Sequence, residues 1–150
     1  MELRPPNMDT SGRTKYPILF QVYGGPGSQM VTTRFVRDIH HLWCTAMGYV
    51  VVNVDGRGTG FKGRAFRMPV RDQLGLVESE DVVAAAEYYS GLDWVDSKRV
   101  GVWGWSYGGY LTSKIIERDS RVFTLGMAVA PVTGKPEKNE VTPLGGEPVG

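Results

Sequence analysis

Short apolar, β-branched runs alternate along this chain with longer stretches of helical periodicity. The runs at 16–23, 49–54, 99–103 and 123–130 predict four strands, and the stretches at 33–47, 78–90 and about 107–118 predict three helices. Gly48 is expected to end the first helix, and the acids at 78, 80 and 81 suit the start of the second. Strands alternating with helices are typical of a mostly parallel sheet with crossover helices, so we expect an α/β fold.

The apolar periodicity stops after residue 133. We therefore divide the chain into an entry segment at 1–15, an α/β domain at 16–133 and a polar tail at 134–150, which its composition predicts to be disordered. A sheet that stops at 123–130 leaves an apolar strand with an unpaired edge, and such edges pair with other chains. We expect the isolated chain to be aggregation-prone or to need a partner.

Composition excludes several classes of function. Apolar residues make up 41% of the chain and charged residues 22%, and the net charge is +1, which argues against a nucleic-acid or anionic-membrane surface. The sequence shows no run of 18 apolar residues and no signal-peptide pattern at Met1. Cys44 is the only cysteine and is expected to be a buried apolar residue; with His40 and His41 it makes an incomplete metal-ligand set, so we expect no metal or cofactor.

The strongest chemical signal is a G-x-S-x-G motif centred on Ser106, between a predicted strand and a predicted helix. This context is that of the nucleophile elbow of α/β-hydrolases, in which the turn is so tight that Gly104 and Gly108 can carry no side chain. The helix that follows points its amides and its positive dipole end at the place where an oxyanion would form. Ser106 is therefore the candidate covalent nucleophile.

The catalytic triad is incomplete in these 150 residues. In α/β-hydrolases an acid and then a histidine follow the serine, but no histidine follows Ser106. His40 and His41 lie upstream, where we expect a solvated or half-buried helix face rather than a catalytic role. The chain alone is thus predicted to be inactive, and a truncated gene model, a splice form and a pseudogene all stay open.

A second motif offers a different class of function. Residues 58–63 satisfy G-x-G-x-x-G behind a predicted strand, and Glu78 lies 20 residues beyond Gly58, as in dinucleotide-binding proteins. In that fold the third glycine, Gly63, opens a helix, whereas here Pro69 interrupts the next segment and we expect none. A tight turn is the favoured interpretation. A phosphate-binding P-loop is excluded because Arg64 and Ala65 follow Gly63.

Four segments, at 16–29, 54–63, 104–110 and 128–132, resemble the prolyl oligopeptidase family of serine peptidases. Within it they are similar to the dipeptidyl peptidase IV group, and most of all to fungal dipeptidyl aminopeptidases, over residues 2–133. The resemblance implies an α/β-hydrolase fold that here lacks the C-terminal strands carrying Asp and His. It also implies a serine exopeptidase that cleaves after a penultimate proline or alanine through an acyl-enzyme, without a cofactor.

Carried to this sequence, the resemblance makes Ser106 the nucleophile and Tyr107 both an oxyanion amide and a wall of the pocket for proline or alanine. Tyr23 becomes the second oxyanion donor, and Val132 lines the same pocket; by sequence alone both would pass as ordinary strand-end residues packed on the core. The resemblance also implies that whole members form homodimers that are either secreted or anchored in vacuolar or Golgi membranes. The propeller domain that selects dipeptides is not matched here, so a catalytically inactive binding or regulatory protein is the alternative function.

Overall fold

The computed structural model describes residues 1–133, so the predicted tail at 134–150 lies outside the described residues. The strands are β1 (Glu2–Leu3), β2 (Tyr16–Val22), β3 (Val50–Asn53), β4 (Val95–Trp105) and β5 (Leu125–Val129). The α-helices are α1 (Ile39–Met47), α2 (Arg64–Arg67), α3 (Val77–Ser90) and α4 (Tyr107–Glu117), and a 3-10 turn (Met68–Val70) follows α2.

The strands form one sheet in the order β1-β3-β2-β4-β5. Every pairing is parallel except that of β1, which runs antiparallel to β3. In the centre, Ile18 of β2 pairs with Val50 on one side and with Val100 on the other. The predicted parallel sheet is confirmed, and β1 was not predicted because two residues are too few to show a strand period.

Helix α1 is shorter than predicted. The expected start at residue 33 is wrong, because Asp38 caps the helix: its carboxylate accepts the His40 N–H, and the His41 ring bonds back to the Asp38 N–H. The predicted end is confirmed, since Gly48 adopts the left-handed conformation at φ 72°. The capping box therefore places the first helical turn six residues later than periodicity alone suggests.

The core lies on both faces of the three inner strands. Phe20, Val50, Val100 and Val102 are fully buried there, together with α3 and α4 residues that cover one face. Nearly continuous apolar runs are typical of parallel strands buried on both faces. Cys44 of α1 is 3% exposed, as its interpretation as a buried apolar residue requires.

Strand β5 lies at the edge of the described sheet. It pairs with β4 along one side, and all five of its residues are exposed. The predicted apolar edge at 123–130 is thus present at 125–129. Within residues 1–133 no helix is long and apolar enough to cross a membrane, and α3, with 14 residues, is the longest.

Candidate active site

Ser106 stands alone between the last residue of β4 and the first residue of α4. Its backbone has φ 59° and ψ −118°, a conformation that residues other than glycine rarely adopt. The Ser106 N–H donates to the Val129 carbonyl at 3.0 Å, which ties the turn to the end of β5, and the side chain makes no capping hydrogen bond. A strained backbone held by its neighbours, with a serine hydroxyl that has no hydrogen-bond partner within residues 1–133, is the geometry of a nucleophile elbow.

The flanking glycines are required by close backbone packing. A Cβ on Gly104 would collide with the backbone of Gly108 and with the Val22 carbonyl. A Cβ on Gly108 would collide with the same Val22 carbonyl and would come within 3.0 Å of the Tyr23 Cα. The first turn of α4 therefore lies directly against the end of β2, and this contact brings Tyr23 to the elbow.

Tyr23 follows β2 immediately and is half-buried. Its ring centroid lies 6.3 Å from that of Tyr107, with the planes inclined at 50°. Within residues 1–133 the tyrosine hydroxyls that form hydrogen bonds are those of Tyr16, Tyr89, Tyr107 and Tyr110. The Tyr23 hydroxyl is not among them, so it is free to donate to a ligand.

Tyr107, in contrast, has a committed hydroxyl. It donates to Glu78 Oε1 at 2.7 Å, and its ring packs edge-on against Tyr110 with centroids 5.5 Å apart. Burial raises the pKa of the Tyr107 phenol, and the neighbouring Glu78 carboxylate raises it further. Within the described residues the Tyr107 hydroxyl is thus bonded, and a role for its ring as a pocket wall stays a prediction.

Glu78 is a residue whose role was not predicted. The sequence offered two interpretations of it, an acid at the start of a helix and the acid of the G-x-G-x-x-G pattern, and neither predicts that its side chain is 2% exposed. A signal existed: Glu78 shares one helix face with Val82 and Ala86, four and eight residues later, and both of these are buried.

A cavity of about 320 Å³ opens between the carboxyl ends of β2 and β4, next to the elbow. Tyr23, Ser28, Trp103 and Trp105 contribute to its lining. The Ser28 hydroxyl and the Trp103 indole N–H are buried without a hydrogen-bond partner among the residues that the structure describes. Neither was predicted, because Trp103 lies in an apolar strand and Ser28 in a glycine-rich turn, and neither pattern indicates that a single polar atom is buried there.

Val132 follows β5 and is 49% exposed. Its neighbour Pro131 approaches the first turn of α4, since a Cβ on Gly109 would lie 3.0 Å from the Pro131 Cα. The chain around Val132 is therefore near the elbow, whereas a role for the Val132 side chain in a pocket stays a prediction.

The two histidines are not joined to Ser106 by any hydrogen bond within residues 1–133. The expected solvated or half-buried position is wrong for His40, which is 4% exposed and stacks on Trp103 with centroids 5.5 Å apart. Its Nδ1 lies 2.9 Å from Asp38 Oδ1, whereas His41 is partly exposed as predicted. His40 is buried because it and Trp43, both in α1, pack their rings against Trp103 of β4.

The glycines of the G-x-G-x-x-G segment serve loop packing. A Cβ on Gly58 would collide with Val70, and one on Gly60 would lie 2.5 Å from the Gly27 carbonyl oxygen. The expectation that no helix follows Gly63 is wrong in detail, because α2 begins there, but it ends after four residues and Pro69 lies in the 3-10 turn that follows. No group of three or more residues that could hold a metal ion occurs within residues 1–133.

Comparison with known proteins agrees with this geometry. The family model described as the prolyl oligopeptidase family matches residues 36–136, two thirds of the chain. The chain belongs to the prolyl oligopeptidase family. Among curated members, the probable dipeptidyl-aminopeptidase B of Grosmannia clavigera is 53% identical over 134 residues, and that of Metarhizium robertsii is 52% identical over the same length.

The solved structures extend the likeness to three dimensions. The crystal structure of Porphyromonas gingivalis dipeptidyl peptidase 4 superposes with a TM-score of 0.82 at 44% identity, covering 87% of this chain and 18% of that one. The α/β-hydrolase fold of the prolyl oligopeptidase family is therefore present here. The two fungal relatives are matched over 89% of this chain, which spans 14% of their length.

Proposed function

We propose that residues 1–133 form the nucleophile side of a serine exopeptidase that removes dipeptides ending in proline or alanine from peptide amino termini. The observation that carries the proposal is the conformation of Ser106, at φ 59° between β4 and α4, where the first turn of α4 packs against Val22 and the Tyr23 backbone. The names of the relatives support the dipeptidyl specificity.

In the proposed reaction Ser106 is the nucleophile, and Tyr23 and Tyr107 stabilise the oxyanion. The Ser106 Oγ attacks the carbonyl carbon of the second substrate residue while a general base takes its proton. The Tyr23 hydroxyl and the Tyr107 N–H donate to the oxygen that becomes negative. The carbon–nitrogen bond then breaks, the proton passes from the base to the leaving amine, and the dipeptide stays as an ester on Ser106 until water releases it.

The general base lies outside this arrangement. His40 is buried against Trp103 and bonded to Asp38, and no histidine follows Ser106 in the sequence. The proposal therefore places the base outside residues 1–133, at a position that a whole member of the family supplies.

A chimera tests the proposal. Residues 1–133 of this chain replace the matching segment of the Grosmannia clavigera relative, so that the rest of the relative supplies the base. We expect the chimera to hydrolyse Ala-Pro-p-nitroanilide, and Ser106→Ala to lower kcat by about 10⁶-fold, the size of a lost triad member. An organophosphonate should label Ser106, as mass spectrometry of the tryptic peptides would show.

Two controls sharpen the result. Ser97 is an exposed serine of the same strand β4, and Ser97→Ala should leave both hydrolysis and labelling unchanged. The 150-residue chain alone should show no hydrolysis, because no histidine follows Ser106. A folded chimera without activity, or activity that survives Ser106→Ala, would contradict the proposal.

A further inference from the structure

Glu78 is a buried carboxyl in the first turn of α3, and its two oxygens accept hydrogen bonds from two different segments. It is 2% exposed. Its Oε2 accepts the Gly75 N–H at 2.9 Å, and its Oε1 accepts the Tyr107 hydroxyl at 2.7 Å. One glutamate thus joins the start of α3 to the first residue of α4.

The partners of Glu78 differ from those of its helix neighbours. Glu80 and Asp81 form ion pairs with Arg57, whereas Glu78 has no ion pair within residues 1–133. A buried carboxyl without a cation lowers the stability of the fold unless its oxygens accept hydrogen bonds. The bond from Tyr107 is therefore needed for Glu78 to be buried.

A second contact holds the same two segments together. The Tyr110 hydroxyl donates to the Leu74 carbonyl at 3.0 Å, and a Cβ on Gly75 would lie 2.7 Å from that hydroxyl oxygen. Gly75 has φ +80°, so it gives the turn both its shape and its close approach to Tyr110. The segment 74–78 therefore fits against α4 through both tyrosines.

A role as a simple helix cap does not explain this arrangement. An acid near a helix N-terminus is favourable when it is exposed, and Glu80 already provides one in the first turn of α3. The bond from the Gly75 N–H lies within the turn before α3, so the bond from Tyr107 is the one that joins Glu78 to another element.

We propose that Glu78 is a positioning residue that fixes the Tyr107 ring and thereby sets the shape of the pocket that receives the substrate residue before the cleaved bond. This inference rests on the proposed function, because it concerns the pocket beside Ser106. With Glu78 in place the phenol has one position, and the ring leaves room for the short, compact side chains of proline and alanine. Without Glu78 the ring can adopt other orientations, and the pocket no longer has one fixed shape.

The chimera tests this with three variants of one helix: Glu78→Ala, Glu78→Gln and the control Glu87→Ala, an exposed glutamate of α3. The first readout is selectivity, the ratio of kcat/KM for Ala-Pro- and Ala-Val-p-nitroanilide. Glu78→Ala should lower this ratio about tenfold, mainly by raising KM for Ala-Pro, as expected for a misplaced binding wall. Glu78→Gln keeps an acceptor for Tyr107 and should restore the ratio, and Glu87→Ala should not change it.

The second readout does not depend on activity. With 3-fluorotyrosine in place of Tyr107, its ¹⁹F resonance follows ionisation of the phenol, which should occur at lower pH in Glu78→Ala and Glu78→Gln than in the parent. A role limited to stability would lower Tm and soluble yield but leave the selectivity of the folded enzyme unchanged.

The outcomes separate the two proposals. An inactive chimera overturns the proposed function, and the ¹⁹F titration still decides whether Glu78 fixes Tyr107. An unchanged titration and an unchanged ratio in folded Glu78→Ala overturn the inference. If Glu78→Ala does not fold, Glu78→Gln decides: a lower ionisation pH with a retained ratio supports the inference, and no change in ionisation overturns it.

Discussion

Tyr23 and Tyr107 are two tyrosines on either side of one elbow, with ring centroids 6.3 Å apart, yet they are held in different ways. Tyr23 is placed by its backbone, because Gly108 packs against the end of β2. Tyr107 is placed by its side chain, through the bond to Glu78. The Tyr23 hydroxyl is uncommitted within residues 1–133, whereas that of Tyr107 has a partner.

Under the proposed function, the difference gives one residue type two tasks. A hydroxyl that stabilises developing charge must be free in the ground state and must stand in a fixed place. A ring that shapes a pocket needs the opposite, a hydroxyl already bonded so that the ring cannot turn. Backbone packing suits the first task and a buried acceptor suits the second.

We expect the largest effect from a substitution that disrupts the contact bringing the two tyrosines together. Gly108→Ala adds a methyl group that would collide with the Val22 carbonyl. Alanine at a helical position normally stabilises by about 1 kcal/mol over glycine, but here we expect a loss of more than about 4 kcal/mol and no folded active enzyme. Soluble yield and thermal unfolding of the chimera measure it. Gly91→Ala, where the nearest atom would be 3.5 Å away, is the matched control and should fold normally.

Next in size is loss of the free hydroxyl. Tyr23→Phe should lower kcat of the chimera by about 10²–10³-fold and leave KM nearly unchanged, because an oxyanion donor acts mainly in the transition state. Steady-state kinetics with Ala-Pro-p-nitroanilide measures both constants. If only KM changes, or if neither does, Tyr23 is a packing residue and the contrast with Tyr107 fails.

Loss of the committed hydroxyl should act differently. Tyr107→Phe leaves the buried Glu78 Oε1 without its donor, which should cost about 1–3 kcal/mol in the free energy of unfolding. In the kinetics we expect KM to rise by about tenfold while kcat falls less than in Tyr23→Phe, since the Tyr107 backbone amide is retained. Equal loss of kcat in the two variants would contradict the division of tasks.

The smallest effect is a dependence of stability on alkaline pH. The folded chain holds the Tyr107 proton more tightly than the unfolded chain, in which tyrosine has its ordinary pKa of 10.0. The resulting stabilisation is complete below about pH 10 and is lost progressively as pH rises above it. Burial also raises the pKa of Tyr89 and Tyr110, so they add to the loss.

Denaturant unfolding of the chimera at several pH values between about 9 and 11.5 measures this dependence. Tyr107→Phe should make the decline shallower. Tyr88→Phe is the control, because Tyr88 is 68% exposed and its hydroxyl has no hydrogen bond within residues 1–133. A decline as steep in Tyr107→Phe as in the parent would show that the Glu78 bond does not hold the phenol proton.

Strand β3 and helix α1 show which parts of the fold a sequence can predict. The apolar run around Val50–Asn53 predicts a buried parallel strand because every side chain there faces a covered surface. The start of α1 depends on one side chain, that of Asp38, which satisfies free amides and overrides the periodicity before it. An apolar pattern extends over many residues and is easy to detect, whereas a helix cap depends on one residue.

By itself the sequence determined the alternation of strands and helices that predicts a parallel sheet, and the motif that places Ser106 between glycines at 104 and 108, because both are patterns along the chain. Only the tertiary structure decided that His40 is buried against Trp103 and that Glu78 reaches Tyr107, 29 residues away. These contacts join residues of separate elements. The local sequence does not distinguish a glutamate at a helix start that is exposed to water from one that bonds a buried phenol. The packing of α3 against α4 determines that Glu78 is buried and bonds Tyr107.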